Sequence, residues 1–424
     1  MYKAPRGAAD ILPEDQDCWQ YIERKAAEIS HLYGYRKIET PVFEDTGLFV
    51  RGVGEETDIV QKEMYTFDDR GGNKLTLRPE GTAPVCRAYL EHGMQNQSQP
   101  VKLFYITSLY RYERPQAGRY REFHQFGCEA IGEVDPALDA EVIDMAWQFF
   151  FSLGIKQLHL KINSIGCKRC RPAYLNQVKD YYAQCRQDLC PDCRIRRERN
   201  PLRLLDCKNT TCRQIAASAP RSYEQLCPEC AAHFEQLKKY LSILDLPYEI
   251  DHCLVRGLDY YTRTVFEIQP EAEGSQSTIG AGGRYDDLLE ELGGKPTPAI
   301  GFATGIERII ANLKKQNADI PPLPGPRAFI AFLGDSAREA AARLAGTLRK
   351  DNISAVQSLG NKSLKAQLRQ ANTLGVRYTV IIGDEEIKSG AFQLRDMSTS
   401  QQQNVPLSRL VDIIKCNREI ETAN

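Results

Sequence analysis

Between residues 111 and 121 four arginines, Arg111, Arg114, Arg119 and Arg121, stand among glycines and aromatic residues. Clustered guanidiniums present planar forks that match phosphate oxygens, so this run points to recognition of a phosphorylated substrate. Strand alternation would put Arg119 and Arg121 on one face, and a hairpin would bring them opposite Arg111. Glu113 and Glu122 lie among them, so a salt-bridged surface hairpin is the other reading of the same residues. The chain has no glycine loop ending in Lys-Ser or Lys-Thr, no Gly-x-Ser-x-Gly elbow and no His-Glu-x-x-His. That argues against a P-loop fold, a serine hydrolase elbow and a zincin. A bound nucleotide would need arginines and metal ions to neutralise its phosphates.

A second constellation is made of thiols. Nine of the 14 cysteines fall between residues 167 and 230, marking a distinct module. Eight of them form four pairs: Cys167/Cys170, Cys190/Cys193, Cys207/Cys212 and Cys227/Cys230. Four pairs are enough for two closed tetrahedral zinc sites, which would be structural, since a catalytic zinc keeps one position open. In a reducing compartment disulfides are not expected. Unmetallated thiols are the alternative, and spacing does not say which pair joins which. Between the pairs runs a basic stretch, Arg194 to Arg199, suited to RNA phosphates or equally to a solvated helix face.

These groups need elements to hold them. Residues 13–33 place Trp19, Ile22, Ala26 and Ile29 at helical spacing,. A short strand over 35–38 and a hairpin over 64–77, turning at 70–73, follow. A strand pair is expected from 101–111 to 120–131, then a helix over 136–151. Strands are read at 261–268, 277–284 and 299–304, the last running into a helix at 306–315. Most strands thus come from hairpins, which predicts an α+β domain with a largely antiparallel sheet flanked by helices. The run IPPLPGP at 320–326 holds four prolines and a glycine and reads as a linker,. Beyond it, short strands at 328–333, 355–357 and 378–382 alternate with helices at 337–350, 363–374 and 407–416. The expected organisation is therefore residues 1–320, with the Cys-rich insertion at about 167–235, a linker at 321–326, and an α/β domain at 327–424.

The bulk properties are those of a globular chain. Its 424 residues are 42% hydrophobic and 26% charged, with 55 Lys+Arg against 56 Asp+Glu. Disorder and collagen-like structure are excluded on composition. No apolar run reaches the roughly 18 residues of a membrane span, and the first residues lack the pattern of a signal peptide. A soluble, cytoplasmic location is the expectation. The net charge of −1 hides a net +4 after residue 326, compatible with a polyanionic partner or with ordinary solvated charge.

Five runs then occur in order: TLRPEGT (76–82), YRYERPQAGRYREFHQFGCE (110–129), LVRGLDYYTRTVFE (254–267), GAGGRYD (280–286) and AIGFATGIERI (299–309). Together they resemble the histidyl-tRNA synthetases, a family of class II aminoacyl-tRNA synthetases, over essentially the whole chain. The resemblance implies an antiparallel catalytic sheet of six or seven strands, an insertion, and a C-terminal anticodon-binding domain. It implies a ligase that uses ATP and Mg²⁺ to form histidyl-adenylate, then transfers histidine to tRNA(His), and a homodimer. By position, Arg111 and Arg256 look like the catalytic pair flanking the α-phosphate and the histidine carboxylate. Arg119 resembles the γ-phosphate ligand, Phe123 the adenine-stacking ring, and Arg308 the arginine on its other face. Glu129 and Tyr261 match the residues that read the imidazole. Glu80, Thr82 and Gln125, with Gly81 beside them, match those around the α-ammonium; Tyr260 and Tyr285 match the pocket lining. Arg114 and Gln116 resemble the residues that meet the tRNA acceptor end. A related regulatory subunit of ATP phosphoribosyltransferase would typically lack the catalytic arginines and the tail domain, and this chain keeps Arg111, Arg256, Arg308 and the tail.

Overall fold

The computed structural model describes residues 2–55, 57–114, 119–271 and 278–416. The chain divides into two compact units, Met1–Pro321 and Pro322–Asn424.

The first unit is built on an eight-stranded sheet. Its strands are β1 (Arg36–Lys37), β5 (Val101–Tyr110), β6 (Glu122–Ile131), β7 (Leu158–Ser164), β8 (Tyr248–Ile250), β9 (Thr262–Pro270), β10 (Gly280–Arg284) and β11 (Ala299–Gly305). The order is β1-β5-β6-β11-β10-β9-β7-β8. Every neighbouring pair is antiparallel except the two at the edges, β1 with β5 and β7 with β8. Those short edge strands bring the sheet to eight where six or seven were expected. A separate three-stranded sheet is made by β2 (Phe43–Asp45), β4 (Lys74–Leu77) and β3 (Tyr65–Asp68). The β3–β4 turn closes where Asp69 accepts hydrogen bonds from the amides of Gly71 (2.7 Å) and Asn73 (2.9 Å).

Two helices cover one face of the large sheet because their apolar residues recur on one side. Gln16–Leu32 buries Trp19, Ile22, Ala26 and Ile29. Pro136–Ser152 starts with proline in its first turn, and the Asp135 carboxylate accepts from the Ala137 amide at 2.8 Å,. It sends Val142, Met145, Ala146, Phe149 and Phe150 into the core shared with β6, β9 and β11.

One buried charge network ties this helix down. Asp139 is fully buried and paired with Arg284 of β10. It also accepts from Thr264 at 2.6 Å and bonds His233 Nε2 at 2.8 Å. Arg284 reaches Asp286 at 3.0 Å as well. The Asp139 carboxyl is opposed by burial, yet Arg284 and His233 hold it below its ordinary range,. His233 lies on helix Pro228–Ile243, so the network also roots the Cys-rich segment in the core.

That segment folds into four helices, Arg171–Gln184, Pro191–Arg199, Thr210–Ala217 and Pro228–Ile243. It returns to the sheet through β8.

The second unit has a five-stranded sheet in the order β13 (Ala355–Gln357), β12 (Ala328–Phe332), β14 (Tyr378–Ile382), β15 (Ala391–Asp396), β16 (Gln402–Pro406). β12 runs parallel to β13 and β14, and β14, β15 and β16 are antiparallel. The AFIAF strand is buried throughout, as a strand covered on both faces must be.

Candidate active site

The pocket is assembled on the open face of the large sheet, around β5 and β6. Glu129 sits on β6 and is buried. Its Oε1 accepts from Thr82 Oγ1 at 2.8 Å and from Tyr105 at 3.4 Å, and its Oε2 from Tyr285 at 2.5 Å. The neighbouring strand leaves space for it: a Cβ on Gly301 would collide with the Glu129 carboxylate. Gly127 makes the same allowance for the ring of Tyr105,. Burial pushes the Glu129 carboxyl up to about 8, against the downward pull of Tyr285 and Thr82,.

Beside it Glu80 closes the start of helix Thr82–Glu91. Its carboxylate accepts from the amides of Thr82 (2.9 Å) and Ala83 (2.7 Å), two donors that a helix N-terminus leaves open,. Tyr260 donates to it at 3.4 Å. Burial raises the Glu80 carboxyl, while those amides and Arg111 oppose the rise. Gly81, between Glu80 and Thr82, packs on Tyr105. Gln125, two strand positions on from Phe123, accepts from the Tyr105 hydroxyl at 3.4 Å. Tyr260 stands 4.7 Å from Tyr261 and 5.7 Å from Tyr285, ring centre to ring centre. Glu80, Thr82, Tyr105, Gln125, Glu129, Tyr260, Tyr261 and Tyr285, with Gly81, therefore form one wall, acidic at two points and aromatic between them.

The cations occupy the other side. Arg111 leaves β5 and donates to the Pro79 carbonyl at 2.8 Å, with its guanidinium 5.3 Å from the Phe123 ring centre. Arg256 binds Glu267 at 2.7 Å and lies 5.6 Å from the Tyr261 ring centre. Its Nε is buried without a hydrogen-bond partner. Arg119 binds Glu113 at 3.0 Å. Arg308 donates to the Thr278 carbonyl at 3.0 Å. Arg308 is pushed below its ordinary range first by burial, then by Arg119, with Arg111 adding to it. Three arginines thus lie within electrostatic reach of one another, which is costly unless an anion joins them.

Not every residue of the arginine run joins this group. The main chains of Arg111 and Arg121 pair at 2.8 Å, but the Arg121 side chain stacks on Tyr112 at 3.9 Å. Arg114 is exposed, and Gln116 lies outside the described residues.

The thiols gather in a nested order. Cys167, Cys170, Cys227 and Cys230 form one set and Cys190, Cys193, Cys207 and Cys212 the other, with all sulfurs of a set within 4.8 Å of one another. No disulfide joins them. The sulfurs stand 3.8 Å apart in Cys167–Cys170, 3.9 Å in Cys167–Cys227 and 3.8 Å in Cys190–Cys207. Zinc–sulfur bonds of about 2.3 Å in a tetrahedron put the sulfurs about 3.8 Å apart. Both sets therefore have the dimensions of a closed zinc site.

Three participants went unread in the sequence. Glu267 holds Arg256 and also accepts from Thr278 (2.7 Å) and Gln269 (2.9 Å). Tyr105 bridges Gln125 and Glu129. Glu307 bonds both the amide and Nδ1 of His124 at 2.9 Å, pinning helix Ile306–Lys315 to β6. Glu267 and Glu307 lie inside the runs at 254–267 and 299–309 but carried no role there, and Tyr105 is brought in by strand register, opposite Gly127.

An antiparallel sheet with an arginine-bearing hairpin on adjacent strands, closed by a strand running straight into an arginine-bearing helix, defines a class II aminoacyl-tRNA synthetase. The family model described as "Histidyl-tRNA synthetase" matches residues 7–170 and 199–309, and that described as "Anticodon binding domain" matches residues 327–417. The chain belongs to the histidyl-tRNA synthetase family, ligases that join histidine to tRNA. It is 61% identical over 415 residues to the histidine–tRNA ligase of Dehalococcoides mccartyi strain CBDB1, covering 98% of this chain and 99% of that one. Identity to the histidine–tRNA ligase of Acetivibrio thermocellus is 50%, over 98% of this chain and 100% of that one. The crystal structure of apo S. aureus histidyl-tRNA synthetase superposes with a TM-score of 0.83 at 39% identity, covering 98% of this chain and 100% of that one. Among the described residues no helix is long and apolar enough to cross a membrane.

Proposed function

We propose that the pocket described above carries out the family reaction: histidine and ATP give histidyl-adenylate and pyrophosphate, and histidine then passes to tRNA(His). The observation that carries this reading is the juxtaposition of two groups of side chains, with Arg256 against Tyr261 and Arg111 on the Pro79 carbonyl beside Glu80. One presents the buried Glu129 among tyrosines, and the other presents Arg111, Arg119, Arg256 and Arg308.

A neutral imidazole has one donor and one acceptor. Glu129 and Tyr261 take the ring, the carboxyl adjusting its proton to the nitrogen it meets. Glu80, Thr82 and Gln125 surround the α-ammonium, and Tyr260 and Tyr285 exclude water. A pocket of buried polar partners rejects amino acids that lack the matching groups by about 10⁴–10⁵. The histidine carboxylate then attacks the α-phosphorus in line. Arg111 and Arg256, already held by Pro79 and Glu267, stabilise charge that grows on the phosphoryl oxygens. Arg119 takes the γ-phosphate, and adenine is held between Phe123 and Arg308.

Mg²⁺ would arrive on the phosphate oxygens of ATP and supply further charge neutralisation. Glu113 and Glu267 lie on that side, and both are bonded to arginines. Two zinc ions in the thiol sets would be structural. Arg114 and Gln116 are assigned to the acceptor end of tRNA, residues 327–424 to the anticodon, and the whole to the cytoplasm. A homodimer suits the small sheet, where Phe43 and Phe67 are 50% and 43% exposed and form a ring pair with centres 6.3 Å apart. Light scattering on the purified chain tests it, with a monomer as the refuting mass.

The deciding assay is ATP–pyrophosphate exchange run against all twenty amino acids. Exchange with histidine alone is expected. Absence of exchange in folded protein that binds histidine would make the chain a regulatory relative instead. Arg256→Ala should lower exchange by at least 10²–10³-fold, the range for losing one preorganised charge-stabilising donor. A folded variant with near-normal exchange would remove Arg256 from the catalytic pair.

A further inference from the structure

The first thiol set is joined to the histidine pocket by one side chain. Cys167 and Cys170 make a tight turn, in which the amides of Cys170 and Arg171 both donate to the Cys167 carbonyl, at 3.1 and 2.9 Å. The Cys167 amide donates to Cys170 Sγ at 3.3 Å. Gly166 permits the turn: its φ is +71°, and a Cβ there would stand 2.7 Å from the Cys170 sulfur,. Helix Arg171–Gln184 starts at this point and buries Tyr174, Val178 and Tyr182 in the cluster that also holds Tyr260 and Tyr261. Arg171 is thus set by the thiol turn on one side and by a buried helix on the other.

Its guanidinium spans two segments of main chain. Nη2 donates to the carbonyls of Tyr261 and of Gly166, the latter at 3.2 Å, and Nε donates to that of Ile165 at 3.4 Å. The ladder beside it shows what this donor replaces. β7 pairs with β9 as far as Ser164 opposite Thr264. Beyond that pair Ile165 donates to the Arg263 carbonyl at 2.8 Å, and Arg263 donates to Gly166 at 2.9 Å. Arg263 has a φ of +47°, in the left-handed region that a residue with a Cβ seldom adopts, so the strand bends away there,. Tyr261 lies on the far side of the bend, where Arg171 stands in for a strand neighbour. The Tyr261 ring has little room to adjust, since a Cβ on Gly283 would stand only 3.0 Å from it.

We infer that Arg171 is a positioning residue for the proposed reaction: it ties the Tyr261 main chain to the turn of the first thiol set, and so fixes where the Tyr261 hydroxyl meets the imidazole. The inference rests on the imidazole-reading role proposed for Tyr261. A guanidinium suits the task because its planar fork holds two directions at once, where an ammonium is a point charge on a flexible stem. Hydroxyl hydrogen bonds form over about 2.5–3.0 Å, so a drift of about half an ångström at Tyr261 is enough to spoil the match. The groups assigned to ATP stand on other elements: Phe123 on β6, and Arg308 on helix Ile306–Lys315. The effect of Arg171 should therefore fall on histidine and spare ATP.

The test is calorimetric binding of histidine and of MgATP, each measured alone on full-length protein, in a double-mutant cycle of Arg171→Ala and Tyr261→Phe. Arg171→Ala should weaken histidine about tenfold, about 1.4 kcal/mol. It should leave MgATP within about twofold and bound metal as in wild type. Tyr261→Phe should itself weaken histidine, and in that background Arg171→Ala should cost no more than about twofold. Arg171→Lys keeps a charged donor for the carbonyls and should lose only about threefold; it carries the comparison if the alanine variant has no cooperative melt. Wild-type histidine affinity in the Arg171 variants, an equal loss for histidine and MgATP, or the same loss with and without the Tyr261 hydroxyl would overturn the assignment. Undiminished histidine binding by Tyr261→Phe would instead locate the failure in the role proposed for Tyr261, and the inference would fall with it.

Discussion

Glu129 concentrates the chemistry of the pocket in one proton. A carboxyl that stays protonated up to about pH 8 in the folded chain, against 4.5 unfolded, binds an extra proton on folding. Its contribution therefore favours folding below pH 4.5 and fades as pH rises to about 8. The unliganded protein should lose thermal stability across that window, and Glu129→Gln, which cannot ionise, should lose less. Melting curves of both proteins from pH 5 to 8 check this, and parallel curves would refute it. The same variant should raise KM for histidine about 2- to 10-fold, the cost of about 0.5–1.5 kcal/mol for a hydrogen bond between neutral groups. The arginines and tyrosines of this site were legible because their runs are short and ordered along the chain. Glu267 was not singled out, since a carboxylate on an alternating strand reads the same whether it faces water or Arg256. Arg121 was misleading for the opposite reason: its spacing fits Arg119, but Tyr112 offers its guanidinium a ring on the outer side.

At the scale of elements, periodicity served where one face meets a core. Gln16–Leu32, Pro136–Ser152 and Ile306–Lys315 fall within three residues of their expected ends. β7 and β8 went unread because LHLKINS alternates only in part and YEI is too short to show a period. The β15–β16 hairpin was missed for a related reason: QQQNVP is polar, as suits an edge strand. In the Cys-rich segment Pro191–Arg199 and Thr210–Ala217 are too short to show a period, while Arg171–Gln184 and Pro228–Ile243 bury Tyr174, Val178 and Tyr182 and Phe234, Leu237 and Leu241 at a helical spacing that the thiol pairs mask. The expected thiol pairs are close in sequence, yet each set joins one pair to another farther along, 17 residues on for Cys190 with Cys207 and 60 for Cys167 with Cys227. If zinc holds these sets, its binding free energy is folding free energy for the insertion. Chelator-free reduced protein should carry two zinc ions per chain by elemental analysis, and Cys227→Ser should carry one. Metal-free protein with an unchanged melting curve would end the proposal.

Across the whole molecule the decisive feature is that each unit closes its own core. Ala328, Ile330, Phe332, Leu344, Leu348, Val380, Ile382 and Leu394 pack together on one face of the second sheet, and Phe329, Ala331, Ala371 and Ile381 on the other. The first unit builds its clusters from residues before Pro321, including every residue assigned here to histidine or ATP. Adenylation needs only those groups. Charging also needs a long RNA to be held in register, and its affinity comes largely from Lys and Arg on phosphates. The second unit carries a net charge of +4 while the whole chain is at −1, so removing it should separate the two steps. A protein ending at Pro321 should fold, since none of its core clusters draws on residues of the second unit. It should keep histidine-dependent exchange within about tenfold of the full chain, about 1.4 kcal/mol, while histidine transfer to tRNA falls by orders of magnitude. Equal loss of both steps in a truncated protein with a cooperative melt would mean that the tail shapes the adenylation site itself. Retention of both would leave the tail without the anticodon role assigned to it.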